Sequence, residues 1–464
     1  MALVAVSIAA TLSSDGAAAE PVAIHVSPET VVQRIPPDFI GFGYETSAVA
    51  LTNYFSAGNK ELIQLYRNLS SDGLIRIGGN VSDHARYEPD GVSAARTERE
   101  VTVINRRNLQ DLEEFARATG WRVMWGLNFG TGSKEEAARE AHAVSDILGD
   151  RLQSLQIGNE VDLRSHYTLK YDDFASYYSN YLACKRAILA VVPEARFSGP
   201  DVAGNLEWFR KFSRAEAGHV EFLTHHYYRT GANRPEATIQ NLLASDHAWD
   251  DKLRELQQIS RDAGTPFRIN EVNSFYGGGK RGVSDTYASA LWCLDYMLVL
   301  ASHGCDGVNL ETDVNQLGWI SHYSPIVHEP SGKCTARPEY YALLAFGMAA
   351  KGDLLKIDLD KQTINLTAYA TRPEDQSIWL VAVNKDGSRD AELKVGLPGV
   401  YARAEAFWLK APGAQSTNEV TLAGTQVAAD GRWTPGPPNE VSIRKKRVEL
   451  IVPHLSALLL HFRQ

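Results

Sequence analysis

Between Phe39 and about residue 345, eight short β-like runs alternate with helical patterns, and nothing else in the sequence constrains the fold as tightly. The runs cover residues 39–45, 74–78, 122–128, 152–160, 196–200, 220–225, 267–271 and 307–311. Strands separated by helices build βα units and a parallel sheet, and eight such units fit a closed (β/α)8 barrel. The helices between them are readable. Leu62, Leu65, Tyr66 and Leu69 recur at the spacing of one helical face, as do Leu109, Leu112 and Ala116 ahead of a C-capping Gly120. Ser133-Lys-Glu-Glu reads as a capping box that opens the next helix.

Beyond Gly352 the period changes to two. Ile364, Leu366, Ala368 and Ala370 alternate with polar neighbours, and turn-like Lys385-Asp386-Gly387 and Ala429-Asp430-Gly431 follow further strands. That pattern predicts a C-terminal β-sandwich of about 110 residues. Val22–Val26 is also strand-like and is expected to join it. The expected division is therefore a leader at 1–19, a sandwich strand within 20–35, a catalytic barrel at 36–348 and a β-sandwich at 349–464. The leader rests on the mainly apolar stretch 2–12 followed by Ala17-Ala18-Ala19-Glu20, which has the length of a signal-peptide core and is too short to span a membrane. Cleavage after Ala19 would make the protein secreted or periplasmic. The basic leader is missing, and a disordered tail is the alternative.

Composition narrows the partners. At 44% hydrophobic and 22% charged the chain can bury a sizeable core, which excludes bulk disorder. A net charge of -9 gives no electrostatic footprint for nucleic acid or for an anionic membrane, so neither is expected as a partner. Four cysteines are too few for a disulfide framework and show no zinc spacing. Single buried thiols are expected, with a Cys305–Cys334 bridge as the alternative. Three glycosylation sequons begin at Asn68, Asn80 and Asn365 and are read as chance.

Active sites of such barrels lie at the C-terminal ends of the strands. There the sequence places Glu45, Arg76 to Asn80, Asn128, Asn159-Glu160, Asp201, His225 to Tyr228, Asn270-Glu271 and Glu311. A single strand-end glutamate is ordinarily an ion-pair or capping residue. Two of them, Glu160 on strand four and Glu271 on strand seven, face each other across the mouth, each preceded by asparagine. Glycoside hydrolysis needs such a pair, one acid to protonate the leaving oxygen and one carboxylate to attack the anomeric carbon.

The run Ile157-Gly158-Asn159-Glu160 resembles the acid/base motif of the retaining glycosidase clan that carries its glutamates on strands four and seven. More narrowly, His225-His226-Tyr227-Tyr228, Glu271-Val272-Asn273-Ser274-Phe275-Tyr276-Gly277-Gly278-Gly279, Ser198-Gly199-Pro200-Asp201 and Arg76-Ile77-Gly78-Gly79 resemble glycoside hydrolase family 79. That family contains β-glucuronidases and heparanases. The resemblance implies Glu160 as general acid/base and Glu271 as nucleophile. It implies that Asn159 bonds the sugar 2-hydroxyl, that Glu45 and Asn128 sit in the pocket floor, and that Tyr228, Tyr276 and Tyr323 line the sugar site. Tyr276 and the amides around Gly278 would face the uronate carboxylate. The stretch 307–326, with Gln316-Leu317-Gly318-Trp319-Ile320-Ser321-His322-Tyr323, looks like the bacterial β-glucuronidase branch, which implies exo action.

The residues support part of this independently. Gly277 to Gly279 present amides unobstructed by side chains, and successive amides form an anion-binding concavity; the plain alternative is a flexible loop. Lys280 and Arg281 read as solvated. His225 and His226 point to opposite faces of a strand, which argues against one metal ion and for one pocket group and one packing group. Arg76 is expected either to orient Glu271 or to form a structural ion pair. No nucleotide-binding or nucleophile-elbow motif is present, and no cofactor is implied. The reading is a retaining exo-β-glucuronidase with carboxyl groups roughly 5–5.5 Å apart, acting on β-glucuronides or on glycosaminoglycan. The alternatives are an endo-acting, heparanase-like enzyme and, remotely, a non-catalytic carbohydrate-binding protein.

Overall fold

The computed structural model describes residues 20–96, 100–163, 171–314, 321–360, 363–397 and 399–464. The leader at 1–19 and the Gln316–Ile320 part of the branch motif lie outside them.

Eight parallel strands close into a barrel in sequence order: Gly41–Glu45, Leu74–Gly78, Arg122–Leu127, Leu152–Ile157, Phe197–Val202, Phe222–Gly231, Phe267–Tyr276 and Val308–Glu311. Leu310 against Phe42 closes the ring. The strands are buried almost throughout, as expected where helices cover the outside and side chains fill the inside. The helical readings hold. Lys60–Leu69 buries Leu62, Leu65, Tyr66 and Leu69; Arg106–Thr119 ends at Gly120 with φ +86°; Ser133 and Glu136 cap Lys134–Leu148 reciprocally.

The sixth and seventh strands overrun the expected ends at 225 and 271. They stay paired to Thr230–Phe275 and Gly231–Tyr276, and this two-stranded extension carries Tyr228 and Tyr276 above the rim. The register slips between Ile269 and Glu271, a bulge that re-aims the side chain beside it.

The C-terminal part is one continuous ten-stranded sheet rather than two separately bonded layers. Glu20–Ile35 joins its halves, pairing antiparallel with Gly352–Leu359 and parallel with Ala391–Gly396. Residues from distant strands of that order, among them Val22, Leu393, Leu366, Leu380 and Leu460, share one core, so the sheet wraps onto itself as a sandwich. Its other face, through Trp379, Val381 and Leu459, packs into the barrel's core. Lys385, in the turn-like segment, is buried and paired with Asp295 of the largely buried helix Tyr287–Ser302, where Thr367 and Tyr369 also donate.

All four cysteines are free and buried, so the Cys305–Cys334 bridge is absent; burial pushes the two thiols up to about 12 and about 11. At two sequons the amide nitrogen is engaged internally, Asn68 with the Gly431 carbonyl and Asn365 with that of Leu243. Among the described residues, no helix is long and apolar enough to cross a membrane.

Candidate active site

The strand ends converge on a cavity of about 610 Å³ at the C-terminal mouth of the barrel. Glu160 and Glu271 line it with His226 between them. One carboxylate oxygen of each glutamate and a ring nitrogen of His226 all lie within 4.8 Å of one another. The local chain explains how Glu160 gets there. Strand four ends at Ile157, Gly158 turns with φ +88°, and Glu160 itself is left-handed at φ +48°. A side chain at Gly158 would press on Val161 and Phe129. Such backbone conformations cost free energy and cluster at functional sites. Asp201, also left-handed at φ +63°, ends strand five beside them.

Beneath the pair sits a buried network centred on Arg76. Its Nη1 donates to Glu271 Oε2 at 2.9 Å, and its Nη2 donates to Asp201 Oδ2 at 2.8 Å and to Asn159 Oδ1 at 2.5 Å. Burial disfavours the guanidinium charge, but Asp201, Glu271 and Glu311 outweigh it and raise the group above its usual value. Both readings offered for Arg76 are thus realised in one side chain. Asp201 is held well below the usual carboxylate range: burial opposes its charge, and Arg76 and His226 more than compensate.

His226 is the pocket histidine. Its Nδ1 meets Glu160 Oε1 at 3.2 Å and its Nε2 meets Asp201 Oδ1 at 3.0 Å. Burial works against its charge, yet Glu271 and Asp201 raise it well above the ordinary histidine value. The two carboxylates beside it thus favour the charged imidazole, and Glu160, His226 and Glu271 form one charge network in the cavity wall. His225 points away, donates Nδ1–H to the His226 carbonyl at 2.5 Å and packs against Phe209 and Trp249.

Three tyrosines wall one side. Tyr228 donates to Glu271 Oε1 at 3.0 Å, so Arg76 and Tyr228 each hold one oxygen of that carboxylate. The Tyr228 ring stacks on Tyr323 and meets Tyr276 edge-on. Tyr323 donates to Asp313, and Tyr276 is 49% exposed at the rim. Gly277 and Gly278 both stand at φ +81° on the cavity wall. The next amides of the loop are spent, Gly279 on the Phe275 carbonyl and Lys280 on Ser284. No lysine or arginine lines the cavity among the described residues.

Two expected contacts differ. Asn128 is not a pocket residue: its Oδ1 accepts the amides of Gly130, Thr131 and Gly132, its Nδ2 donates to the Ala85 carbonyl, and the loop after strand three folds onto it as a cap. Asn159 lies one layer below the cavity wall, between Arg76 and Asn80. Glu45 does line the cavity, and its carboxylate also accepts the amides of Asn80 and Val81. Sequence reasoning passed over Asn80, Asp201, Glu311 and Asp313. The first three stood at strand ends where polar residues were already noted, and only pairing across the barrel separates them from caps.

A family model described as glycosyl hydrolase family 79, N-terminal domain, matches residues 59–298. A β-glucuronidase of Aspergillus niger is 24% identical over 375 residues, covering 71% of this chain and 68% of that protein. A hyaluronoglucuronidase of Hirudo nipponia is 21% identical over 427 residues, covering 81% and 84%. Among solved structures, a 4-O-α-L-rhamnosyl-β-D-glucuronidase from Fusarium oxysporum superposes with a TM-score of 0.78 at 16% identity, over 94% of this chain and 99% of that one.

Proposed function

This chain belongs to glycosyl hydrolase family 79, and from that premise we propose that it is a retaining exo-β-glucuronidase. The observation that carries the reading is the Glu160–Glu271 pair, whose nearest oxygens lie within 4.8 Å. Retaining enzymes hold their carboxyl groups about 5–5.5 Å apart, whereas inverting ones need about 6.5–9.5 Å to admit a water. Glu271, its two oxygens oriented by Arg76 and Tyr228, attacks the anomeric carbon, and Glu160 protonates the departing oxygen. Water, deprotonated by Glu160, then opens the glycosyl ester.

Glucuronide specificity is assigned to the Gly277 and Gly278 amides with Tyr276, on the wall beside Glu271. Relatives named for glucuronidase activity support the sugar. Exo action is supported by the wall that Tyr276, Gly278 and Tyr323 raise against a single ring. The same proposal places the enzyme outside the cytosol, on the strength of the apolar 2–12 stretch. Rates on matched p-nitrophenyl β-glucuronide and β-glucoside test the sugar assignment: a strong preference for the glucuronide is expected, and parity overturns it. Large fragments released early from heparan-type polymer, without free glucuronic acid, would overturn exo action.

A further inference from the structure

Glu311 closes the eighth barrel strand, is 3% exposed and faces the cavity. Neither of its carboxyl oxygens takes a hydrogen bond from a described residue. Buried polar groups almost always have partners, so an orphan in a pocket wall points to a partner that arrives with the ligand. The groups around it come from five elements. Strand one brings Tyr44 and Glu45, strand two Arg76, strand six Tyr228, strand seven Glu271, and the segment after strand eight Asp313 and Tyr323. Arg76 is the one cation in that set, and its Nη1 stops 4.0 Å from Glu311 Oε2, beyond hydrogen-bond reach. Its hydrogen bonds already go to Glu271, Asp201, Asn159 and Gln156. Gly43 leaves the space this carboxyl occupies, since a β-carbon there would stand 2.5 Å from Oε2.

We propose that Glu311 is a further substrate-binding residue, held as the neutral acid, that donates its O–H and offers its C=O to hydroxyls of the ring seated beside Glu271. This deepens the glucuronidase reading and rests on it. Burial and then the charges of Glu271 and Asp313 raise the group, Arg76 opposes them, and the balance leaves it well above the usual carboxylate range. The chemistry of the substrate fits. Glu45, Glu160, Glu271 and Asp313 already line the cavity, and an anionic sugar gains when the fifth carboxyl there carries no charge.

The test compares wild type, Glu311→Gln and Glu311→Ala on p-nitrophenyl β-D-glucuronide at neutral pH. Glu311→Gln imitates the neutral acid, so its KM should stay within roughly threefold of wild type. Glu311→Ala should raise KM by about tenfold or more with a smaller change in kcat, the pattern of a lost binding contact. A Glu311→Ala KM equal to wild type, or a Glu311→Gln KM raised as far as that of Glu311→Ala, overturns the proposal while leaving the glucuronidase reading intact. A wild-type enzyme inert toward the glucuronide overturns both. Infrared difference spectra of wild type minus Glu311→Gln give a readout independent of turnover: a protonated-carboxyl C=O band at neutral pH is expected, and a carboxylate signature in its place overturns the neutral state.

Discussion

Arg76 on the second barrel strand reaches Glu271 on the seventh through the buried floor of the site, Nη1 to Oε2 at 2.9 Å, while its other nitrogen holds Asp201 at 2.8 Å. One guanidinium thus fixes the carboxylate proposed as nucleophile and a neighbour that in turn binds His226. Positioning and stability are coupled here. The charges are mutually compensated, and removing the cation strands two of them in the interior.

Arg76→Met is therefore expected to lower kcat by at least about a hundredfold and to destabilise the fold by about 3–5 kcal/mol, the cost of an uncompensated buried charge. Arg76→Lys should recover part of the stability and little of the activity, because one ammonium cannot reproduce the fork that spans Glu271 and Asp201. Denaturant titration and steady-state kinetics measure both. Wild-type stability in Arg76→Met would contradict the central place given to this network.

Glu160→Gln removes the acid while keeping the shape of the side chain. Alkyl glucuronides, whose leaving groups need a proton, should lose about a hundredfold or more in rate, whereas an acidic phenol should lose far less in the first step. Equal losses across a series of leaving groups would remove Glu160 from that role.

Tyr276→Phe tests how the uronate is recognised. The ring remains against Gly231 at the rim and only the hydroxyl is lost. Activity on a glucuronide should fall by about tenfold, the scale of one hydrogen bond to a charged group, with a smaller effect on the matching glucoside. Equal effects on both sugars would place the carboxylate elsewhere.

His225 sets an acid limit on the fold. Burial first, then Lys252 and His226, hold it down to about 3, against 6.5 for the exposed residue. Between those values the unfolded chain binds the extra proton, so the stability His225 contributes is complete above about pH 6.5 and is lost as pH falls toward 3. The slope approaches about 1.4 kcal/mol per pH unit at most. His225→Asn keeps a donor for the His226 carbonyl and removes the titration. Its unfolding free energy should fall less steeply with acid than that of wild type, as followed by urea titration at a series of pH values. Parallel slopes would exclude this source.

The barrel was legible because short β-like runs alternate with helical patterns, several of which carry one clean face, as Leu62, Leu65 and Leu69 show. The overrun of the sixth and seventh strands was not. His226, Asn273 and Ser274 break the apolar pattern there, and those residues are buried by pairing and by the site rather than by their own polarity. The single wrapped sheet was hidden too, since it depends on Glu20–Ile35 pairing with partners more than three hundred residues away. Glu160 and Glu271 stood out by motif and position. Asn128 and Asn159 looked equivalent in sequence, yet a loop folds back on the first and Arg76 claims the second. Asp201 and Glu311 sat at strand ends in plain view, but only the closed barrel shows which carboxylate takes a hydrogen bond from the arginine and which takes none.

Proton NMR of the first-formed product tests the central claim most directly. With Glu271 as nucleophile and Glu160 as acid and then base, hydrolysis of a β-glucuronide should release β-glucuronic acid first, with the α anomer growing in only by mutarotation. Release of the α anomer first would mean single displacement by water, and would contradict the roles assigned to both glutamates.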